Sequence, residues 1–101
     1  MPIQSKRRRH RDEVRRELLV QWMQESVDSP GNFLGFPLCE IRWDRACTGQ
    51  AIEGHEPVMR SRGGSVLDRT NVFLTCRHCH DAVHANVARA TELGFLASNY
   101  P

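Results

Sequence analysis

The chain has no apolar run long enough to cross a bilayer. Its opening run, M-P-I-Q-S-K-R-R-R-H, carries charge with no apolar stretch behind it, so no secretory leader is expected. The reading that follows is no membrane and a reducing, cytoplasmic setting. Paired cysteines there serve metals more often than disulfides, although two disulfides remain the alternative reading. Length is short as well. With 101 residues the chain has room for one small domain and little core, so a staple gains importance. There is no internal repeat and no low-complexity block beyond one arginine run, and no separate recognition domain is expected.

What is present is unevenly distributed. Residues 1–16 hold Lys6, Arg7, Arg8, Arg9, Arg11, Arg15 and Arg16 against Asp12 and Glu13, whereas the remainder holds seven arginines against ten acids. A basic arm on a near-neutral body suits a polyanion, to which it would offer sequence-independent phosphate contacts; the plainer alternative is a solvated tail.

Residues 1–10 read as a disordered basic arm, being polar and without periodicity. Residues 11–32 read as an amphipathic helix and its turn. Val14, Leu18 and Trp22 recur every fourth position, Leu19 and Met23 widen the stripe, and the arginines and glutamates take the other face. Ser29-Pro30-Gly31-Asn32 ends the helix. Residues 33–101 form the rest of the domain. An irregular segment carries Cys39, Trp43 and Cys47, with Trp43 expected to pack. A short strand is expected from Gln50 to Glu56, followed by the glycine-bearing loop R-S-R-G-G-S. Val72 to Thr75 reads as a strand running into Cys76, with a helix after it. A second short helix is expected from Val87 to Leu93, capped by Asn86 and stopped by Gly94. The order strand, loop, strand, helix makes an α+β unit, a β-hairpin packed on a helix.

The densest chemistry is C-R-H-C-H-D-A-V-H, from Cys76 to His84. Cys76 and Cys79 have C-x-x-C spacing, and with Cys39 and Cys47 they would close a tetrahedral, structural Zn²⁺ site, although the wider Cys39/Cys47 spacing is weak evidence taken alone. His80 and His84 at i, i+4 leave one helix face, and His55 from the hairpin makes a third imidazole. Three protein ligands leave positions open for water and substrate. His78 lies off that face and reads as exposed.

The run H-E-P-V-M-R-S-R-G-G-S…N-V-F-L-T-C-R-H-C-H-D-A-V-H resembles the HNH endonucleases, the ββα-metal nucleases common in bacteriophages. The similarity covers roughly residues 39–100 and includes the C-terminal tail from His84 to Tyr100, which resembles that of small phage and actinobacterial members. It implies a zinc-stapled ββα-metal domain with an N-terminal helix and a short C-terminal helix. It also implies a hydrolase that cuts DNA phosphodiester bonds. His55, His80 and His84 fall on the family's catalytic metal positions, and Cys39, Cys47, Cys76 and Cys79 on its structural zinc positions. Asn71 falls on the residue that orders the loop and helps orient the general base. The implied cofactors are structural Zn²⁺ and catalytic Mg²⁺ or Mn²⁺.

The sequence departs from the family at Glu56, where most members carry the base histidine. Glutamate can take a proton from water, although its ordinary pKa of ~4.3 makes it a weaker base than imidazole at ~6.5. It can also serve as an oxygen ligand. An alignment shifted by one makes His55 the base, and a third alternative is that catalysis has been lost. Arg60 and Arg62 in the loop, with Arg7, Arg8 and Arg9 in the arm, are the candidate phosphate contacts. The partner implied is DNA, in the host-cell cytoplasm for a phage-encoded protein. A non-cutting zinc module that binds DNA or assists a phage terminase in packaging is the alternative function.

Overall fold

The computed structural model describes residues 6–58, 64, 65 and 67–97. It is a small α+β arrangement of three α-helices and one two-stranded antiparallel sheet. Helix α1 spans Lys6–Val27, strand β1 Glu53–His55, strand β2 Phe73–Thr75, helix α2 Arg77–Ala85 and helix α3 Val87–Glu92. No helix among the described residues is long and apolar enough to cross a membrane.

Helix α1 starts at Lys6, so residues 6–10 are helical and do not belong to a disordered arm. Arginine and lysine are good helix formers, and one uninterrupted helix carries them without a break into the apolar stretch. The helix ends as expected. Gly31 takes φ 89°, and the Asn32 side-chain amide donates to the carbonyls of Ser26 at 2.6 Å and Phe36 at 3.0 Å.

The hairpin pairs Glu53 with Thr75, Gly54 with Leu74 and His55 with Phe73. The expected strand over 50–56 shortens to three residues. Gln50 instead makes an isolated bridge with Leu38, and the Ile52 N–H donates to the Thr75 carbonyl at 3.0 Å. Strand alternation then sorts the side chains onto two faces. Val72 and Leu74 turn to Trp22, with Ala51, Leu18, Leu19 and Met23 around them. Phe73 turns to the other core, built from Cys39, Ile41, Cys76, Cys79, Val83, Ala90 and Leu96. Trp43 packs at that core's edge, 6.3 Å from the Phe95 ring.

Gly54 is where α1 crosses the hairpin. A Cβ there would stand 3.2 Å from both Leu19 Cδ1 and Val72 Cγ1, so the glycine lets the helix come close. Asn86 lies between α2 and α3, but its side chain donates to the Ala82 carbonyl at 2.8 Å and makes no capping bond to α3. Its φ of −132° and ψ of 59° belong to the kink joining the two helices, which closes α2 instead. Gly94 takes φ 86° and follows α3 as expected.

Candidate metal centres

Strand β2 delivers Cys76 to the start of α2, where its side chain caps the helix by accepting the Cys79 N–H at 3.4 Å. The C-x-x-C spacing brings Cys79 back beside it. The segment at 37–40 runs along the hairpin, its Glu40 N–H donating to the Leu74 carbonyl at 2.7 Å, and so lays Cys39 against the same point. All four sulfurs lie within 4.8 Å of one another, and all four cysteines are free.

Two observations fit zinc. Cys76 Sγ and Cys47 Sγ are 3.8 Å apart. Zn–S bonds of about 2.3 Å at tetrahedral angles require about 3.8 Å, whereas a disulfide requires about 2.05 Å. Backbone N–H groups also aim at sulfur: Trp43 at Cys79 and Gly49 at Cys47, each 3.3 Å, besides Cys79 at Cys76. Such donors stabilise thiolate over thiol. Burial works against ionising Cys76, but hydrogen bonds from the backbone and side chains of Cys79 and Thr48 outweigh it and hold the thiol at about 6. Burial pushes Cys79 and Cys47 up. Four thiolates cannot share so small a space without a cation, and the donor set suits Zn²⁺. The four cysteines lie close enough to hold a metal ion, as a structural zinc site requires.

The second cluster lies on the same face of the hairpin, one turn further along α2. The nitrogens of His55, His80 and His84 come within 4.8 Å of one another, and the three ring centroids are 5.0 to 5.3 Å apart. Burial grades across the set, from His55 at 1% exposure, through half-buried His80, to exposed His84. The cluster therefore has a closed back and an open front.

The two deeper rings are fixed by their outer nitrogens. His55 Nε2 lies 2.7 Å from the Phe95 carbonyl. That oxygen can only accept, so Nε2 carries the proton and Nδ1 holds the lone pair. His80 Nδ1 lies 2.8 Å from Glu53 Oε1, which assigns its proton in the same way and leaves Nε2 to bind. A carbonyl and a carboxylate behind imidazoles are how proteins hold metal-binding histidines in one tautomer and orientation. Burial lowers the pKa of His55 despite the opposing Phe95 carbonyl, and burial together with His80 lowers that of His84. Both shifts favour the neutral, ligating form.

The sequence reading does not single out Glu53, although a signal for it exists. Two residues before His55 on a strand, it shares His55's face. It also receives Arg77 at 3.6 Å. The Phe95 carbonyl, 40 residues from His55, leaves no signal in the sequence.

Glu56, at the expected base position, is not grouped with the three histidines. It follows β1, and its Oε1 accepts from Arg15 NH2 of α1 at 3.0 Å. One residue beyond His55, it turns toward α1, as Gly54 does. Asn71 closes the short 3₁₀ turn Arg69–Asn71. Its side-chain amide donates to the carbonyls of Val58 at 3.0 Å and Ser65 at 3.1 Å, and its oxygen accepts the Val58 N–H at 3.1 Å. It thus ties together both sides of the segment between them. Arg60 and Arg62 fall within that segment, outside the described residues. Arg7 and Arg9 are exposed on α1, and the backbone of Arg8 lies in the same helix. His78 lies off the cluster with its side chain 37% accessible, and its Nε2 is 2.7 Å from Asp44 Oδ1.

No protein-family model, no curated protein and no solved structure matches the chain.

Proposed function

We propose that the protein is an HNH-type endonuclease that hydrolyses DNA phosphodiester bonds at the histidine cluster. The observation that carries the reading is the triad itself. Three imidazoles converge, His55 and His80 are held in a ligating tautomer from behind, and the cluster opens toward solvent at His84. Asn71 supports it by tying Val58, three residues beyond His55, to Ser65. A divalent cation held by His55, His80 and His84 would supply charge to neutralise the scissile phosphate and its leaving oxygen. Of the two cations expected, Mn²⁺ suits three nitrogens better than Mg²⁺, and Ni²⁺ is a suitable probe.

The chain's own residues divide the remaining work. His55 Nδ1 is the ring's only basic nitrogen, so it serves as a ligand or as a base, not both. With His55 as ligand, Glu56 takes the proton from the attacking water, which requires it to leave Arg15 and turn from the α1 side of the hairpin. Glu53 keeps His80 in register, and Asn71 holds Val58 and Ser65 together.

The Arg15–Glu56 ion pair also favours a second reading. If it persists when DNA is bound, the protein is a zinc module that binds DNA without cutting it, as an accessory to DNA packaging would. A supercoiled-plasmid assay with Mg²⁺, Mn²⁺ or Ni²⁺ separates the two. The nuclease reading expects relaxed and linear products with at least Mn²⁺ or Ni²⁺. It expects a loss of about 10²- to 10⁴-fold in Glu56→Ala and retained cutting in Glu56→His. Folded, DNA-binding protein that leaves the plasmid intact under every metal overturns it. A Glu56→Ala variant that cuts like the parent makes His55 the base.

A further inference from the structure

Helix α1 is longer than its packing requires. Its 22 residues extend about 33 Å, but the side chains that pack on the hairpin are Leu18, Leu19, Trp22 and Met23, all in the C-terminal half. Followed in steps of four, one ridge of the helix reads Arg7, Arg11, Arg15, Leu19, Met23. Each step turns about 40°, so the row winds slowly round the helix, but Arg7, Arg11 and Arg15 stay within an arc of about 80° that also holds Leu18 and Trp22. The junction is visible at Gly54. Leu19 Cδ1 and Arg15 NH2 lie 3.2 and 3.9 Å from where its Cβ would be. The arginines of this ridge therefore do not occupy the face opposite the apolar stripe, as the sequence pattern implies. They continue it, and the ridge is apolar where it covers the hairpin and basic where it runs on. Arg7 and Arg11 are exposed, and Arg15 is half-buried beside Glu56.

From this placement we infer that the basic half of the ridge is a track for the phosphate backbone of duplex DNA, with Arg7, Arg11 and Arg15 as its contacts. Arg15 passes from Glu56 to a phosphate when DNA binds. The choice of DNA rests on the nuclease reading above. Guanidinium groups pair with phosphate through parallel N–H···O bonds, and three in series favour an extended polyanion over a single small anion. The Arg15–Glu56 pair is partly solvent-exposed, with side chains 30% and 23% accessible, so a phosphate can displace it at little cost. The exchange links the arrival of the strand to the release of the carboxylate next to His55. Arg15 is thus a positioning residue for Glu56 as well as a contact for DNA.

The test is fluorescence anisotropy of a short labelled duplex with zinc-loaded protein across a salt series, without added Mn²⁺, so that binding is read apart from cutting. Arg11→Gln and Arg15→Gln should each weaken binding several-fold and reduce the slope of log Kd against log salt by about 0.9. Arg16→Gln, on a different side of α1, should leave the slope unchanged. Unchanged zinc content and melting midpoint separate a lost contact from a lost fold. Glu56→Gln should tighten binding in the parent and have no effect in Arg15→Gln, because it removes a competitor for Arg15. Parental slopes in both ridge variants, an equal loss in Arg16→Gln, or a parent that does not bind the duplex overturns the track. Equal tightening by Glu56→Gln in both backgrounds overturns the exchange. Ridge-dependent binding by a parent that cuts nothing keeps the track and removes the nuclease reading.

Discussion

Two ligand clusters are built on successive turns of one helix, and they differ in every respect that decides what a metal does. The cysteine cluster takes its donors from α2 and from the segment at 39–47, with Cys39, Cys76 and Cys79 buried. Four sulfurs complete a tetrahedron and leave no coordination position, so a metal there can only hold the chain together. The histidine cluster has one donor fewer and an exposed edge at His84, so a metal there keeps positions for other ligands. The supports differ as well. Backbone N–H groups point at the sulfurs and stabilise negative charge, whereas acceptors, the Phe95 carbonyl and the Glu53 carboxylate, stand behind the imidazoles and orient neutral rings. Such backbone donors favour a thiolate site; outer acceptors favour a nitrogen one.

The comparison breaks most sharply at the cysteines. Cys79→Ser should abolish the fold, since zinc contributes about 10–16 kcal/mol in zinc-finger peptides and a domain has only about 5–15 kcal/mol in total. Circular dichroism with zinc analysis checks this; a folded, zinc-free variant would show that the cluster is not a staple. A chelator strong enough to strip zinc should unfold the parent in the same way.

His84→Ala should sit at the opposite extreme, keeping tightly bound zinc and the fold while losing binding of Mn²⁺ or Ni²⁺ and, with it, the cutting proposed above. Titration of the zinc-loaded variant with Ni²⁺ measures this directly. Loss of structure would mean that the two clusters are one folding unit and the contrast is false.

The smallest effect falls on the carboxylate behind His80. Glu53→Gln keeps the shape but weakens the acceptor for the His80 proton, and should reduce affinity at the histidine cluster by about 10- to 100-fold while leaving zinc content unchanged. Parental Ni²⁺ affinity in this variant would reduce Glu53 to a surface partner of Arg77.

Local rules make much of this legible in the sequence. C-x-x-C before a helix and an i, i+4 histidine pair within it depend only on helical geometry, so the sequence by itself determined that Cys76 and Cys79 share one turn and His80 and His84 one face. Gly31, Gly94 and the strand into Cys76 are equally readable, because turn chemistry and strand alternation act over a few residues. The start of α1 differs from its sequence expectation because dense charge alone suggests disorder, although arginine forms helix well. Partners far apart in sequence were decided by tertiary structure alone. Whether Glu56 met a water or a guanidinium depended on the path of α1 over Gly54, which brought in Arg15 from 41 residues away. The tautomer of His55 likewise depended on the chain returning at Phe95. Spacing along a helix or strand selects which side chains share a face; only the packing of one element against another selects what that face meets.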